Sequence, residues 1–88
     1  MTEEEFKQQL RNKGYGEPRT KEYAPNANEA QHTHDFSVLA MVTRGELTLA
    51  YEDGSTTYKP GECCELAAGT VHGEQAGANG ATLLLGRK

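Results

Sequence analysis

The chain holds three histidines, and two of them, His32 and His34, are separated by a single residue. In an extended strand side chains alternate faces with period two. Both rings therefore project from one side, roughly 6.6 Å apart along the strand. Imidazoles at that spacing can converge on one ion, because Zn–N distances are about 2.0–2.1 Å. The remaining histidine, His72, also sits in a strand-like stretch, Thr70 to Gln75. By the same parity Glu74 shares the face of His72, where a carboxylate could serve as a general base or accept a hydrogen bond from a metal-bound imidazole. Asp35 follows His34 and alternates to the outer face. The competing reading is three surface or hydrogen-bonded imidazoles and a solvated carboxylate near a strand end.

Strands must aim these side chains, and the chain supplies short ones. One strand is expected to carry the histidine pair and run on through Phe36 to Thr43, ending in a tight turn at Arg44-Gly45. Leu47, Leu49 and Tyr51 then alternate with Glu46, Thr48 and Ala50, which predicts a half-buried strand. Asp53-Gly54 is a two-residue hairpin signal, Ser55 to Lys59 returns, and Pro60-Gly61 turns again. Glu62 to Leu66 predicts a strand and Ala67-Ala68-Gly69 a corner. Thr70 to Gln75 follows, then a Gly-rich hairpin over Ala76 to Gly80, and Ala81 to Leu85 closes the sheet. Phe36, Val38, Ala40, Leu47, Leu49 and Tyr51 are expected to line an apolar pocket, where Tyr51 or Tyr58 could offer a hydroxyl. Before the histidines, Glu17 to Ala24 has the Pro and charged residues of an edge strand. Pro25 to Asn28 is a turn in which Asn26 can adopt a left-handed conformation. At the N-terminus Thr2 and Glu5 form a capping box. Phe6 and Leu10 give the helix one apolar stripe, and Gly14 is its natural stop. About eleven residues are too few for a stable isolated helix, so the stripe must dock on the sheet. Short strands at this spacing predict an all-β sandwich or barrel.

Eighty-eight residues allow one domain. It divides into helix and turn over 1–16 and a β-barrel over 17–88. The apolar complement is thin: there is no Ile or Trp, and Leu, Val and Phe together supply 13 residues. A bound metal or a second subunit would compensate for so small a core, and a homodimer is the expected assembly. The net charge of −4 and the scattered Lys and Arg argue against a nucleic-acid partner, because phosphate binding needs clustered cations. No apolar run approaches the roughly 20 residues that span a bilayer. Met1 to Phe6 carries three glutamates where a secretion signal would be basic and then apolar, so a cytoplasmic location is expected. Cys63 and Cys64 are adjacent and lack zinc or redox spacing. Alternation puts Cys64 inside with Leu66, as a small hydrophobe or an extra ligand.

Two motifs in order resemble the cupin superfamily. Its first motif runs Gly, five residues, His-x-His, three or four residues, Glu, six residues, Gly. Here His32, His34 and Gly45 fall in register, Asn26 stands at the first Gly, and Val38 or Leu39 replaces the Glu. Its second motif runs Gly, five residues, Pro-x-Gly, two residues, His, three residues, Asn. Gly61, Gly69 and His72 match, while Ala67 and Ala76 replace the Pro and Asn. Fifteen residues, Glu46 to Pro60, separate the motifs, as in compact microbial members. The resemblance covers Tyr23 to the C-terminus. It implies a small cupin jelly-roll β-barrel in which His32, His34 and His72 hold a divalent metal (Zn, Fe, Ni or Mn). Three protein ligands leave positions for water or substrate, the mark of a catalytic site. The implied function is a metal-dependent oxygenase, isomerase or lyase acting on a small-molecule ligand, with Glu74 as catalytic candidate. The alternative is a non-catalytic module that binds or senses a metal or small ligand.

Overall fold

The computed structural model describes residues 1–88. Two long strands, β3 (Val38–Tyr51) and β6 (His72–Arg87), form an antiparallel ladder from Val38 opposite Arg87 to Ala50 opposite Gly73. On its outer side β3 takes β5 (Cys63–Leu66) and then β4 (Gly54–Tyr58). The outer side of β6 takes β2 (Asn28–His32) and then β1 (Arg19–Tyr23). One half of the molecule is thus ordered β1-β6-β3-β5 and the other β2-β6-β3-β4.

The β-rich cupin-type architecture is the one expected, but the pairing does not close into a ring. The ladder ends at β1 and β2 on one side and at β4 and β5 on the other. The sheet instead folds across its middle. Register shifts between Val42 and Arg44 and between Gly45 and Leu47 mark the bend in β3, and bulges of this kind bend and twist a strand. Val42, Leu83 and Leu85 of one half and Leu47, Leu49 and Ala76 of the other share a single buried cluster, so the halves face each other. Two glycines permit the bend. Gly45 has φ +69°, and a Cβ there would stand 2.1 Å from the Gly80 carbonyl oxygen. Gly80 has φ +78°, and its Cβ would meet the Tyr23 carbonyl oxygen at 2.5 Å.

Several local expectations change. The histidine-bearing strand is not continuous: β2 ends at His32, residues 33–37 lie outside any strand, and β3 begins at Val38. The reason is topological, since β2 and β3 pair with opposite edges of β6 and the chain must cross between them. Arg44-Gly45 is a bulge within β3 rather than a turn. Ala76 to Gly80 is not a hairpin, because β6 runs through it and pairs outward with β1, β2 and β3. The β3–β4 hairpin loop is Glu52-Asp53, one residue earlier than the Asp-Gly signal, with Gly54 already opposite Tyr51. Asn26 is left-handed as expected, at φ 59°.

Helix α1 (Glu3–Asn12) carries the anticipated capping box between Thr2 and Glu5 and is followed by Gly14 at φ 78°. Phe6 and Leu10 are fully buried against Tyr15, Leu39 and Met41. Alternation along β3 explains the division: Leu39 and Met41 face the helix while Ala40 and Val42 face the interior. The segment after the helix is pinned by Tyr15, whose hydroxyl donates to Glu65 Oε2 at 2.6 Å, and by Lys13 Nζ, 3.1 Å from Glu65 Oε1. Burial, then the neighbouring Glu65, pushes the Tyr15 phenol up to about 12, so it remains a donor. No helix is long and apolar enough to cross a membrane.

Two predictions follow from this packing. Gly45→Ala combines a left-handed backbone with a backbone clash and should cost about 3 kcal/mol or more. Gly14→Ala has φ +78° but open space around it, and should cost only about 1–2 kcal/mol. Equal losses in urea unfolding would show that the Gly45–Gly80 approach does not limit the fold. The second concerns acid. The Tyr15 hydroxyl, and after it Lys13, hold Glu65 below its ordinary value of 4.5. The stabilisation is complete above that value and disappears as pH falls through the lowered one. Tyr15→Phe should therefore be less stable than the parent at neutral pH, with the gap closing under acid. A pH-independent gap in thermal melting would contradict this.

Candidate metal centre

The structure brings His32, His34, His72 and Glu74 together, although they come from three segments. His32 ends β2 and lies directly opposite His72, the first residue of β6. Glu74 is two residues further along β6, on the same face. His34 belongs to the crossing segment 33–37, where its carbonyl accepts a hydrogen bond from the Gly69 N–H at 2.9 Å. Its ring stacks on Phe36 with centroids 4.8 Å apart and planes 15° apart. The ligand atoms of all four residues lie within 4.8 Å of one another. Asp35 is exposed, as the alternation predicted.

The tautomers follow from the backbone. His32 Nδ1 is 2.6 Å from the Ala30 carbonyl oxygen, and His72 Nδ1 is 2.9 Å from that of Thr70. A carbonyl only accepts, so each Nδ1 carries the proton. In a neutral ring that leaves Nε2 as a lone pair, and both Nε2 atoms face Glu74 Oε2, at 3.1 Å and 3.2 Å. Lone pairs opposed to a carboxylate repel unless a proton or a cation lies between them. The donor set therefore fits a positive charge, and Nδ1–H bonded to a carbonyl is the usual orientation of a metal-binding imidazole. Burial, and then the neighbouring His32 and His72, hold His34 below the usual imidazole range, which keeps its lone pair available.

Glu74 is buried, and burial by itself would raise its pKa. That effect is outweighed by the Tyr23 hydroxyl and then Lys21, and the carboxyl ends below its ordinary value. Tyr23 donates a short hydrogen bond to Glu74 Oε1, and Lys21 Nζ stands 3.8 Å from the same oxygen. Burial, and then the Glu74 carboxylate, push the Tyr23 phenol far above its usual range. The pair is thus an ionised acid with a permanent donor. The hydroxyl at the site comes from Tyr23, not from Tyr51 or Tyr58, the two tyrosines the sequence suggests for it. The available signal was parity: Arg19, Lys21 and Tyr23 share one face of β1.

These groups open onto a cavity of about 290 Å³. Phe36, Val38, Ala40, Leu47 and Leu49 line it as expected, while Tyr51 does not. Val38, which stands at the Glu position of the first motif, thus faces the cavity. Cys64 also lines it. Burial pushes its thiol up to about 12, with Cys63 and Glu74 adding to the shift, so it packs as a protonated hydrophobe outside the four-residue cluster.

Comparison with known proteins agrees with this architecture. No curated protein matches the chain. A protein of unknown function from Rhizobium leguminosarum superposes with a TM-score of 0.75 at 20% identity, over 80% of this chain and 66% of the other. Oxalate decarboxylase of Bacillus subtilis gives 0.67 at 24% identity over 81% and 20%. Drosophila melanogaster CENP-C, solved bound to CAL1, gives 0.69 at 15% over 81% and 60%. The chain therefore spans no more than about two thirds of these proteins, and at such identities the likeness shows the fold alone. A family model described as Cupin domain matches residues 19–85, and the chain belongs to the cupin family.

Proposed function

We propose that this cupin is a metal-dependent enzyme acting on a small molecule, with His32, His34 and His72 as the metal ligands and Glu74 as the proton acceptor. The observation that carries the reading is the pairing of Nδ1–H groups with backbone carbonyls, which turns two Nε2 lone pairs toward one carboxylate oxygen. A divalent ion bound there would supply Lewis-acid polarisation of a substrate oxygen. Imidazole ligands suit Zn, Fe, Ni and Mn alike.

The protein's own part is proton handling. Glu74 is ionised, buried and at the end of a small cavity, so it can accept a proton from a substrate held there. Tyr23 fixes the carboxylate's orientation through Oε1, leaving Oε2 toward the imidazoles. Apolar walls lower the local dielectric and strengthen these interactions. Of the oxygenase, isomerase and lyase types implied by the motifs, this arrangement suits best the two that begin with proton removal.

Chelator-treated protein should gain thermal stability when Zn, Ni, Fe(II) or Mn is added back. At 100 times Kd the gain is about 2.7 kcal/mol for an ion that binds only the folded state, and His72→Ala should abolish it. Absence of a shift with every metal would overturn the reading. A further prediction isolates the acceptor. Tyr23→Phe leaves the buried Glu74 without its donor, and should cost the chelated protein about 1–3 kcal/mol. A change of only a few tenths in urea unfolding would show that Glu74 does not rely on that hydroxyl.

A further inference from the structure

The same cavity is lined by three cations, two of which have no carboxylate partner in the chain. Arg19, Lys21 and Arg87 all line it, against the single carboxylate of Glu74. Lys21 is paired, 3.6 Å from Glu29 and 3.8 Å from Glu74. Arg19 and Arg87 make no ion pair with any carboxylate. Both are exposed at the mouth of the cavity, and what sets them apart from the chain's other arginines is that they line it. The two arginines are also neighbours. Arg19 lies opposite Leu85 in the β1–β6 ladder, and Arg87 is two residues along β6 from Leu85. They are therefore diagonal cross-strand neighbours, about 7–8 Å apart at the backbone.

Arg87 is held in place by stacking. Its guanidinium carbon lies 4.7 Å from the centroid of Phe36, which itself stacks on His34 at 4.8 Å. A guanidinium, a phenyl ring and an imidazole thus form three layers from Arg87 to the histidine cluster. The rest of the cavity wall is largely apolar, with Leu47, Leu49, Leu66, Leu83 and Leu85. Guanidinium groups match carboxylates in planar, bidentate geometry, which a lysine does not. A volume near 290 Å³ holds about ten water-sized groups at roughly 30 Å³ each, which limits the occupant to a small molecule.

We propose that the cavity binds a small amphipathic carboxylate, its anionic head on Arg19 and Arg87 and its apolar body running toward the histidine cluster. This rests on reading that cluster as the reacting end of the same cavity. The occupant is then a monocarboxylic acid, anchored at one end and presented at the other to Glu74. Its apolar body is matched by the leucine wall, and its single negative charge by the cations that lack partners.

The test uses the full-length protein, chelated and metal-loaded in parallel, titrated calorimetrically with sodium octanoate, 1-octanol, octyl phosphate and acetate. Octanoate should bind, with 1-octanol and acetate each weaker by at least about tenfold, since one lacks the charge and the other the body. Arg19→Gln and Arg87→Gln should each weaken octanoate about tenfold while leaving 1-octanol unchanged. Arg87→Lys should recover little of the loss, because it keeps the charge without the planar fork. Arg19 and Arg87 are both exposed, and Arg19 lies on an edge strand, so its variant tests the idea even where loss of the Arg87 stacking on Phe36 disturbs the site. Failure of octanoate to bind, equal affinity for 1-octanol, or full affinity in Arg19→Gln would overturn the proposal. Tighter binding of octyl phosphate than octanoate would overturn the carboxylate assignment. Octanoate binding without any metal-induced stabilisation would leave this proposal standing and refute the metal reading. Metal stabilisation without octanoate binding would do the reverse.

Discussion

The ladder between β3 and β6 is the constraint on which everything else depends. Each strand keeps the other as partner while bending across the middle of the molecule, and the bend requires backbone to approach backbone at Gly45 and Gly80. Once the sheet folds there, β1 and β2 must lie on the same edge of β6 but in facing halves. That brings Lys21 and the Tyr23 phenol of β1 against Glu74 and sets Arg19 in the wall of the same cavity. The Tyr23–Glu74 hydrogen bond joins the two halves, so a feature of the site is also a tie within the fold.

The electrostatics of the cavity depend on the same arrangement. A carboxylate with so little exposure would be expected to take up a proton. Glu74 stays ionised because a hydroxyl and an ammonium of β1 converge on it. Neither group is close to it in sequence. The result is a cavity whose largely apolar wall carries the histidines and Glu74 together with two arginines that lack a carboxylate partner.

A thin core makes the N-terminal helix more than an appendage. Only 20 of the 88 residues are buried, and two of the most fully buried side chains, Phe6 and Leu10, belong to the helix. They cover the outer face of β3, whose inner face lines the cavity. Alternation along one strand thus serves both clusters, and the helix keeps the wall of the site from being exposed to water on both sides.

Features that depend on neighbouring residues were legible in the sequence alone. The capping box, the left-handed Asn26, the strand alternation from Leu47 and the shared face of His72 and Glu74 rest on backbone preferences and period-two parity, which act over a few residues. The order and spacing of two histidine motifs also pointed to the family and to the histidines that meet. Only the tertiary structure decided that the histidine strand breaks at 33–37, that Arg44-Gly45 bends a strand instead of ending it, and that β6 runs through Ala76 to Gly80. Those outcomes depend on which edge of β6 each strand occupies, and that is set by pairing between residues 23 to 66 positions apart. The same holds for Tyr23. Nothing within its own strand distinguishes it from any edge-strand tyrosine, and its role arises because the folded sheet carries its hydroxyl to a carboxylate 51 residues away.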